Sequence, residues 1–353
     1  MARRVPKSLE PMNALLVEEI PRGEEWQFEP KWDGFRCIAF RDGAKVDLQS
    51  KSGKPLARYF PDVVESIKSL RATRFVLDGE IVIPHGRALS FDALLQRIHP
   101  AASRIARLAK ETPATFIVFD LLEDARGRSL IDQPLSSRRV ALEQFAKSEF
   151  ARSDKIALSP ATRDRKQALR WYKGVGATLD GVIAKRLDMA YQSGNRHGMV
   201  KVKQRRTADC VVGGFRYASH SKQVGSLLLG LYNDLGLLDH VGFCSSFDAS
   251  SRKLLAPKLQ PLIKPPGFTG AAPGGPSRWS TDRTTDWQPL APRLVVEIRY
   301  DHFTGGRFRH GTKFLRWRPD KAPKLCRMKQ VAQESSVSPL KLLARSVKKR
   351  KAV

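Results

Sequence analysis

Phe28-Glu29-Pro30-Lys31-Trp32-Asp33-Gly34-Phe35-Arg36 reads as the end of a short strand, a turn carrying a lysine, and a second strand over residues 35–40 with aromatic and aliphatic residues spaced for a sheet. A lysine is ordinarily an exposed, protonated point charge. Pressed among apolar residues and other cations, it can lose its proton and become a nucleophile. Lys31 is therefore a candidate nucleophile, set against the plainer alternative of a solvated turn lysine.

Around this stretch, 353 residues suit two domains of ordinary size, and 41% hydrophobic residues can supply a core for each. The 63 Lys+Arg against 35 Asp+Glu leave a formal charge of +28. That excess exceeds what solubility needs and favours a polyanionic partner, nucleic acid first, over a membrane surface. Cys37, Cys210, Cys244 and Cys326 are scattered without a C-x-x-C pair, so neither a zinc module nor a disulfide framework is expected. The start, Met1-Ala2-Arg3-Arg4-Val5-Pro6, has no apolar stretch behind its basic residues, and no run of about 18 apolar residues occurs. A cytoplasmic, monomeric protein is expected.

Residues 35–40 and 46–49 read as strands joined by Asp42-Gly43, a hairpin signal. Pro61 suits the first turn of a helix with Val63, Val64, Ile67 and Leu70 on one stripe. Further strands are expected over 75–83 and 116–122, with a short helix from Phe91. Ser136 or Ser137 is placed to cap a helix carrying Val140, Leu142 and Phe145, and Gly174 and Gly176 to close another. Helices among antiparallel strands give an α+β module over residues 1–205. From Thr207 the pattern turns to β: strands over 209–216, 226–232, 237–244, 293–300 and 313–318, with one helix over 250–259. Five short strands and a helix are what a small OB-fold β-barrel over 206–330 needs. A Pro/Gly-rich loop from Lys264 to Pro276 interrupts it. Residues 331–353 form a basic tail crowding Lys341, Arg345, Lys348, Lys349, Arg350 and Lys351 beside Leu340, Leu342 and Leu343.

Lys31-Trp32-Asp33-Gly34 with Arg36 resembles the K-x-D-G-x-R signature of the covalent nucleotidyltransferases, the superfamily of ATP-dependent DNA ligases, RNA ligases and mRNA capping enzymes. The later motifs follow in order: Ser50-Lys51-Ser52-Gly53 (S/T-R-x-G), Leu77-Asp78-Gly79-Glu80 (D-G-E), and the aromatic-aspartate strand Phe116-Ile117-Val118-Phe119-Asp120. Asp180-Gly181-Val182-Ile183-Ala184-Lys185-Arg186 resembles E-G-V-x-x-K-R, Lys201-Val202-Lys203 resembles K-x-K, and Arg318-Pro319-Asp320-Lys321 resembles R-x-D-K. One four-residue match is weak, whereas an ordered series from residue 29 to residue 321 is strong. Three positions depart from the pattern: Lys51 for arginine, Asp180 for glutamate and Met199 for a frequent tryptophan. The chain is most similar to minimal bacterial ATP-dependent DNA ligases of repair and end joining. For those the resemblance implies an ATP-grasp-like nucleotidyltransferase domain of antiparallel sheets with helices, followed by the OB fold.

The resemblance also implies the chemistry. Lys31 attacks the α-phosphate of ATP, pyrophosphate leaves, and AMP stays on the lysine before passing to a DNA 5′-phosphate. No glycine-rich phosphate loop of the G-x-x-x-x-G-K-[ST] or G-x-G-x-x-G kind is present. Lys185, Lys201 and Lys203 are the cations expected at the phosphates, and strand alternation puts the last two on one face. Glu80 and Asp180 are the expected ligands of Mg²⁺, with Mn²⁺ as its alternative. Glu29 is expected at the adenine amino group, Arg36 at ribose or phosphate, Ser50 and Lys51 in the nucleotide site, and Phe119 on the adenine face. Arg318 and Lys321 are expected to orient the departing pyrophosphate. The partners implied are nicked or broken duplex DNA and DNA-repair proteins, at the bacterial nucleoid. An RNA ligase or capping guanylyltransferase keeps the chemistry and changes the substrate. A non-catalytic OB-type binder keeps only the basic surface.

Overall fold

Lys31 ends a strand that is flanked, through its neighbour, by the strand carrying Lys201 and Lys203. In the computed structural model, β1 (Leu15–Leu16) runs parallel to β9 (Met199–Lys203), which pairs antiparallel with β8 (Gly181–Arg186), which in turn pairs with β2 (Trp26–Lys31). Gly181 lies opposite Lys31 on one side and Lys203 on the other. A second, five-stranded sheet has the order β4 (Lys45–Ser50), β3 (Phe35–Asp42), β5 (Arg74–Val82), β6 (Thr115–Glu123), β7 (Ile156–Leu158). The Asp42-Gly43 turn closes the β3–β4 hairpin with Gly43 at φ +62°, where a side chain is disfavoured.

The structure describes residues 5–86, 88–174, 179–204, 206–219, 221–274, 286–331 and 341–343. They form two compact units, one holding the described residues up to Gln204 together with Lys341–Leu343, the other those from Arg206 to Val331. The basic residues Arg345 to Lys351 of the expected tail, Gly176, and Gly275-Pro276 lie outside the described residues. Among the described residues, no helix is long and apolar enough to cross a membrane.

The unbroken apolar run of β6 is buried on both faces, as such runs are. Its two acids are satisfied: Arg138 donates to both oxygens of Asp120 (2.9 and 3.0 Å), and the amide of Val5 donates to Glu123 (3.1 Å). Phe60, Phe75 and Phe116 are fully buried in the core beside this sheet, each contributing about 1.5–3 kcal/mol of transfer free energy. Leu342 and Leu343 pack against Trp32, Val82, Ile117 and Leu179 in a satellite cluster.

Two helical expectations need correction. The helix expected after Ser136 or Ser137 spans Leu135–Glu149 with Pro134 as its N-cap, and no side chain caps it. Its first amides are taken by the carbonyls of Met189 and Leu187 instead, which removes the need for a serine cap. Val140 faces solvent at 55% exposure while Leu142 and Phe145 are buried. A helix at Ala102–Glu111 was not anticipated; its apolar stripe is only Ile105, Leu108 and Ala109.

In the second unit the strand order is β12 (Leu238–Cys244), β11 (Val224–Tyr232), β10 (Arg206–Tyr217), β13 (Val295–Tyr300), β14 (Lys313–Trp317), with Gln288–Pro289 paired to β10 and one long helix at Ala249–Leu259. The expected barrel is not closed by a ladder among the described residues: β12 and the start of β14 meet at the single bridge Cys244–Thr312. The Ser246 hydroxyl intervenes there, accepting from the amide of Phe314 (3.0 Å) and donating to the carbonyl of Thr312 (3.3 Å). A side chain thus takes up backbone groups that a continuous ladder would pair.

Candidate active site

Because Gly181 sits in register between Lys31 and Lys203, the residue before it, Asp180, reaches both. Its carboxylate lies 2.5 Å from Lys31 Nζ and 3.3 Å from Lys203 Nζ. The Asp180 amide also donates to the Lys31 carbonyl (3.0 Å). Gly181 has φ +134°, and a Cβ there would stand 1.9 Å from the Val202 carbonyl oxygen, so the tight strand spacing requires glycine. In the second sheet Arg36 lies opposite Glu80. The two sheets face a cavity of about 1040 Å³ lined by Glu29, Lys31, Arg36, Ser50, Lys51, Glu80, Phe119, Lys185 and Lys201, and by Pro11 to Ala14.

Burial pushes the Lys31 amine down, but the charges of Asp180, Glu80 and Asp33 outweigh it and the net shift is upward. This reverses the expectation of a lysine deprotonated among cations: in this state Lys31 is a held ammonium, and its proton must leave for it to act as a nucleophile. Burial first, with repulsion from Asp33 and Asp78, pushes the Glu80 carboxyl up to about 7 against the opposing pull of Lys31 and Arg36. Burial lowers Lys201, as do the neighbouring cations Lys31, Lys203 and Lys51. The cavity thus holds carboxylates that a cation would relieve beside cations that an anion would relieve.

Among the described residues, no cluster of three or more His, Cys, Asp or Glu side chains could by itself hold a metal. Glu80 and Asp180, both acting on Lys31, fit the case of a hard cation that takes one or two carboxylates and completes its shell with substrate phosphates and water.

Lys185, expected at the phosphates, is paired in this state with an acid. It is buried against Glu29 at 2.9 Å, and the other Glu29 oxygen accepts from Gln27 Nε2 (2.8 Å). Both Lys185 and Arg36 lie over the Phe119 ring at 4.5 Å from its centroid, leaving Phe119 only 6% exposed. In this state the expected adenine platform therefore meets cations. The structure groups Glu29, Gln27, Lys185 and Phe119 in one cluster and Lys31, Asp180, Lys201 and Lys203 in another. Sequence spacing separated neither, because both depend on the β2–β8–β9 register and the first also on Phe119 from β6 of the second sheet. Ser50 is engaged in its own turn, its hydroxyl accepting from the Lys54 amide (3.0 Å), with Gly53 at φ +75°.

Arg36 is held by Asp78 through two bonds of 2.6 Å, a bidentate geometry that fixes the guanidinium. In the second unit Asp209 accepts from both Arg318 Nη1 (2.9 Å) and Lys321 Nζ (2.8 Å), and Asp320 takes the remaining edge of Arg318. Those bonds, chiefly the one to Asp320, hold Arg318 above its ordinary value and Asp320 down at about 2. Asp209 and Gln27 carried no sequence signal beyond lying two to six residues from a motif.

Two sheets enclosing a lysine-centred, cation-lined cavity, followed by a unit whose described residues form a six-stranded sheet, make the fold that of a covalent nucleotidyltransferase. Residues 7–203 match the model of the ATP dependent DNA ligase domain, and residues 220–321 match that of the ATP dependent DNA ligase C terminal region. DNA ligase C2 of Mycolicibacterium smegmatis is 46% identical over 341 residues, covering 91% of this chain and 93% of the relative. A multifunctional non-homologous end joining protein, LigD of Mycobacterium bovis, is 31% identical over 310 residues, which span 86% of this chain and 37% of that protein. The solved structure named Pmar-Lig_Pre has TM-score 0.57 at 18% identity, covering 83% of this chain and 63% of its own, a likeness of fold alone. The chain belongs to the ATP-dependent DNA ligase family. It is an enzyme using ATP and a divalent metal on nicked DNA.

Proposed function

We propose that the chain seals nicks or breaks in duplex DNA through a lysyl-AMP intermediate, in repair or end joining, as a cytoplasmic, nucleoid-associated monomer with Mg²⁺ as its metal. The carrying observation is the convergence of Lys31, Asp180 and Lys203 within 3.3 Å at one strand register, beside a cavity of nucleotide size. Lys31 Nζ forms a bond to the α-phosphorus of ATP while the bond to the pyrophosphate oxygen breaks, and the lysine proton is released. A DNA 5′-phosphate oxygen then displaces the lysine, and a 3′-hydroxyl displaces AMP as the new phosphodiester forms. Asp180 holds Lys31 in place before the first step, and Lys201 and Lys203 face the oxygens on which charge accumulates. Glu80 and Asp180 would hold a divalent cation, which would further neutralise that charge. Arg318 and Lys321, presented together by Asp209, serve the departing pyrophosphate.

The test is incubation of the purified chain with Mg²⁺ and ATP or GTP labelled at the α-phosphate, followed by denaturation. Label from ATP, absent in Lys31→Ala, is expected. Its absence from protein first stripped of AMP with pyrophosphate would refute the covalent mechanism. Label from GTP instead would move the reading to a capping enzyme. The +28 net charge further supports a duplex-DNA substrate, whose binding should weaken steeply with salt.

A further inference from the structure

The Arg36–Asp78 pair does not end at Asp78. Tyr191, only 5% exposed, donates its hydroxyl hydrogen to Asp78 Oδ2 (2.7 Å), and the same hydroxyl oxygen accepts from the backbone amide of Met12 (2.9 Å). One hydroxyl therefore joins the arginine that lines the cavity to the segment that walls it, since Pro11, Met12, Asn13 and Ala14 also line the cavity. That segment has little regular structure before the two-residue strand β1. The loop around Tyr191 ties it down. Ser193 donates to the Glu10 carbonyl (3.0 Å), Asn13 Nδ2 donates to the Gly194 carbonyl (3.2 Å), and the Asn13 amide donates to the Asn195 carbonyl (2.8 Å). The Tyr191 ring is itself fixed: its amide donates to the Ile131 carbonyl (2.9 Å), and the Arg138 guanidinium, anchored on Asp120, lies 5.6 Å from its centroid.

We propose that Tyr191 is a positioning residue for ATP, setting the Arg36 guanidinium through Asp78 and the cavity wall at residues 11–14 through the Met12 amide. The inference rests on the reading of this cavity as the ATP site. A buried hydroxyl that both donates and accepts leaves two groups wanting when it is removed, Asp78 Oδ2 short of a donor and the Met12 amide without its acceptor. Asp78 is itself buried but holds Arg36, and Arg36 and Met12 both line the cavity, so the loss falls on nucleotide binding.

The experiment is Tyr191→Phe in the full chain, with Arg36→Ala as reference, measuring the initial rate of lysyl-AMP formation against ATP concentration. Phenylalanine keeps the ring and its packing. The expected result is a KM for ATP about tenfold higher in Tyr191→Phe, with kcat per active site within twofold of the parent. A merely structural role lowers the active fraction and leaves KM in place. A parental KM in Tyr191→Phe alongside a raised KM in Arg36→Ala overturns the proposal alone. A parental KM in Arg36→Ala overturns the reading of the cavity, and the proposal with it.

Discussion

Replacing Lys185 by methionine tests whether the buried pair it forms with Glu29 in the cavity wall is a single electrostatic unit. Lys185 and Glu29 are 6% and 2% exposed and 2.9 Å apart. Met keeps most of the length of the side chain and removes the charge, leaving the Glu29 carboxylate with Gln27 as its remaining charge-relieving donor at 2.8 Å. Removing one partner of a buried pair costs about 3–5 kcal/mol, because the other charge stays desolvated. For a unit of roughly 200 residues, each kcal/mol moves Tm by about 2–4 °C. Lys185→Met should therefore lower the melting temperature of the first unit by about 6–20 °C in the absence of nucleotide. Glu29→Gln, which strands the ammonium, should fall in the same range. The double variant buries no charge and should recover most of the loss, giving a coupling energy near 3 kcal/mol. Thermal unfolding of all four proteins measures this directly. Single variants that each shift Tm by under about 2 °C, or a double variant whose loss equals the sum of the singles, would refute the reasoning. ATP affinity, followed by the nucleotide's effect on Tm, should stay low in the double variant, which lacks the Glu29 carboxylate proposed to meet the adenine amino group.

His240 in the second unit is buried beside Arg307, whose Nη2 lies 3.0 Å from its Nδ1. Burial first, then Arg307 and Arg216, push it down to about 3. The unfolded chain takes up that proton near 6.5 and the folded chain does not. The second unit should therefore lose up to roughly 1.4 kcal/mol of stability per pH unit as pH falls from 6.5 toward 3. Urea unfolding at pH 7.5 and pH 5 should show the loss in the parent and a smaller one in His240→Gln, and equal losses would exclude His240 as the source. Gly181→Ala forces a side chain into the Val202 carbonyl and displaces Asp180 from Lys31. Lysyl-AMP formation should fall about a hundredfold, the scale of an ångström's misplacement, and a near-parental rate would show that the register is not what aligns Lys31.

Much of the fold was legible along the chain because its signals are local. Strand alternation, the Asp42-Gly43 turn, Pro61 at a helix start and the apolar run of β6 each act over a few residues, and the elements appear where those signals lie. The helix at Leu135–Glu149 is legible in its apolar spacing but its cap is not, since carbonyls from residues 187 and 189 stand in for a serine. Where the OB-like sheet closes, the described residues meet at a single bridge, the Ser246 side chain taking bonds that sequence patterning assigns to backbone.

By itself, the sequence determined the ligase family and the residue types proposed for its lysine-centred chemistry, because the motifs are short and each is carried on one strand or turn. Only the tertiary structure decided which groups meet. Strand register put Asp180 between Lys31 and Lys203, holding the proposed nucleophile as an ammonium rather than a free amine. It also paired Lys185 with Glu29 over the Phe119 ring, and brought Tyr191 to Asp78, the Met12 amide to Tyr191, and Asp209 to Arg318 and Lys321. Electrostatic interactions depend on distance through space, and residues 113 apart along the chain reach 2.7 Å only once the sheets have paired.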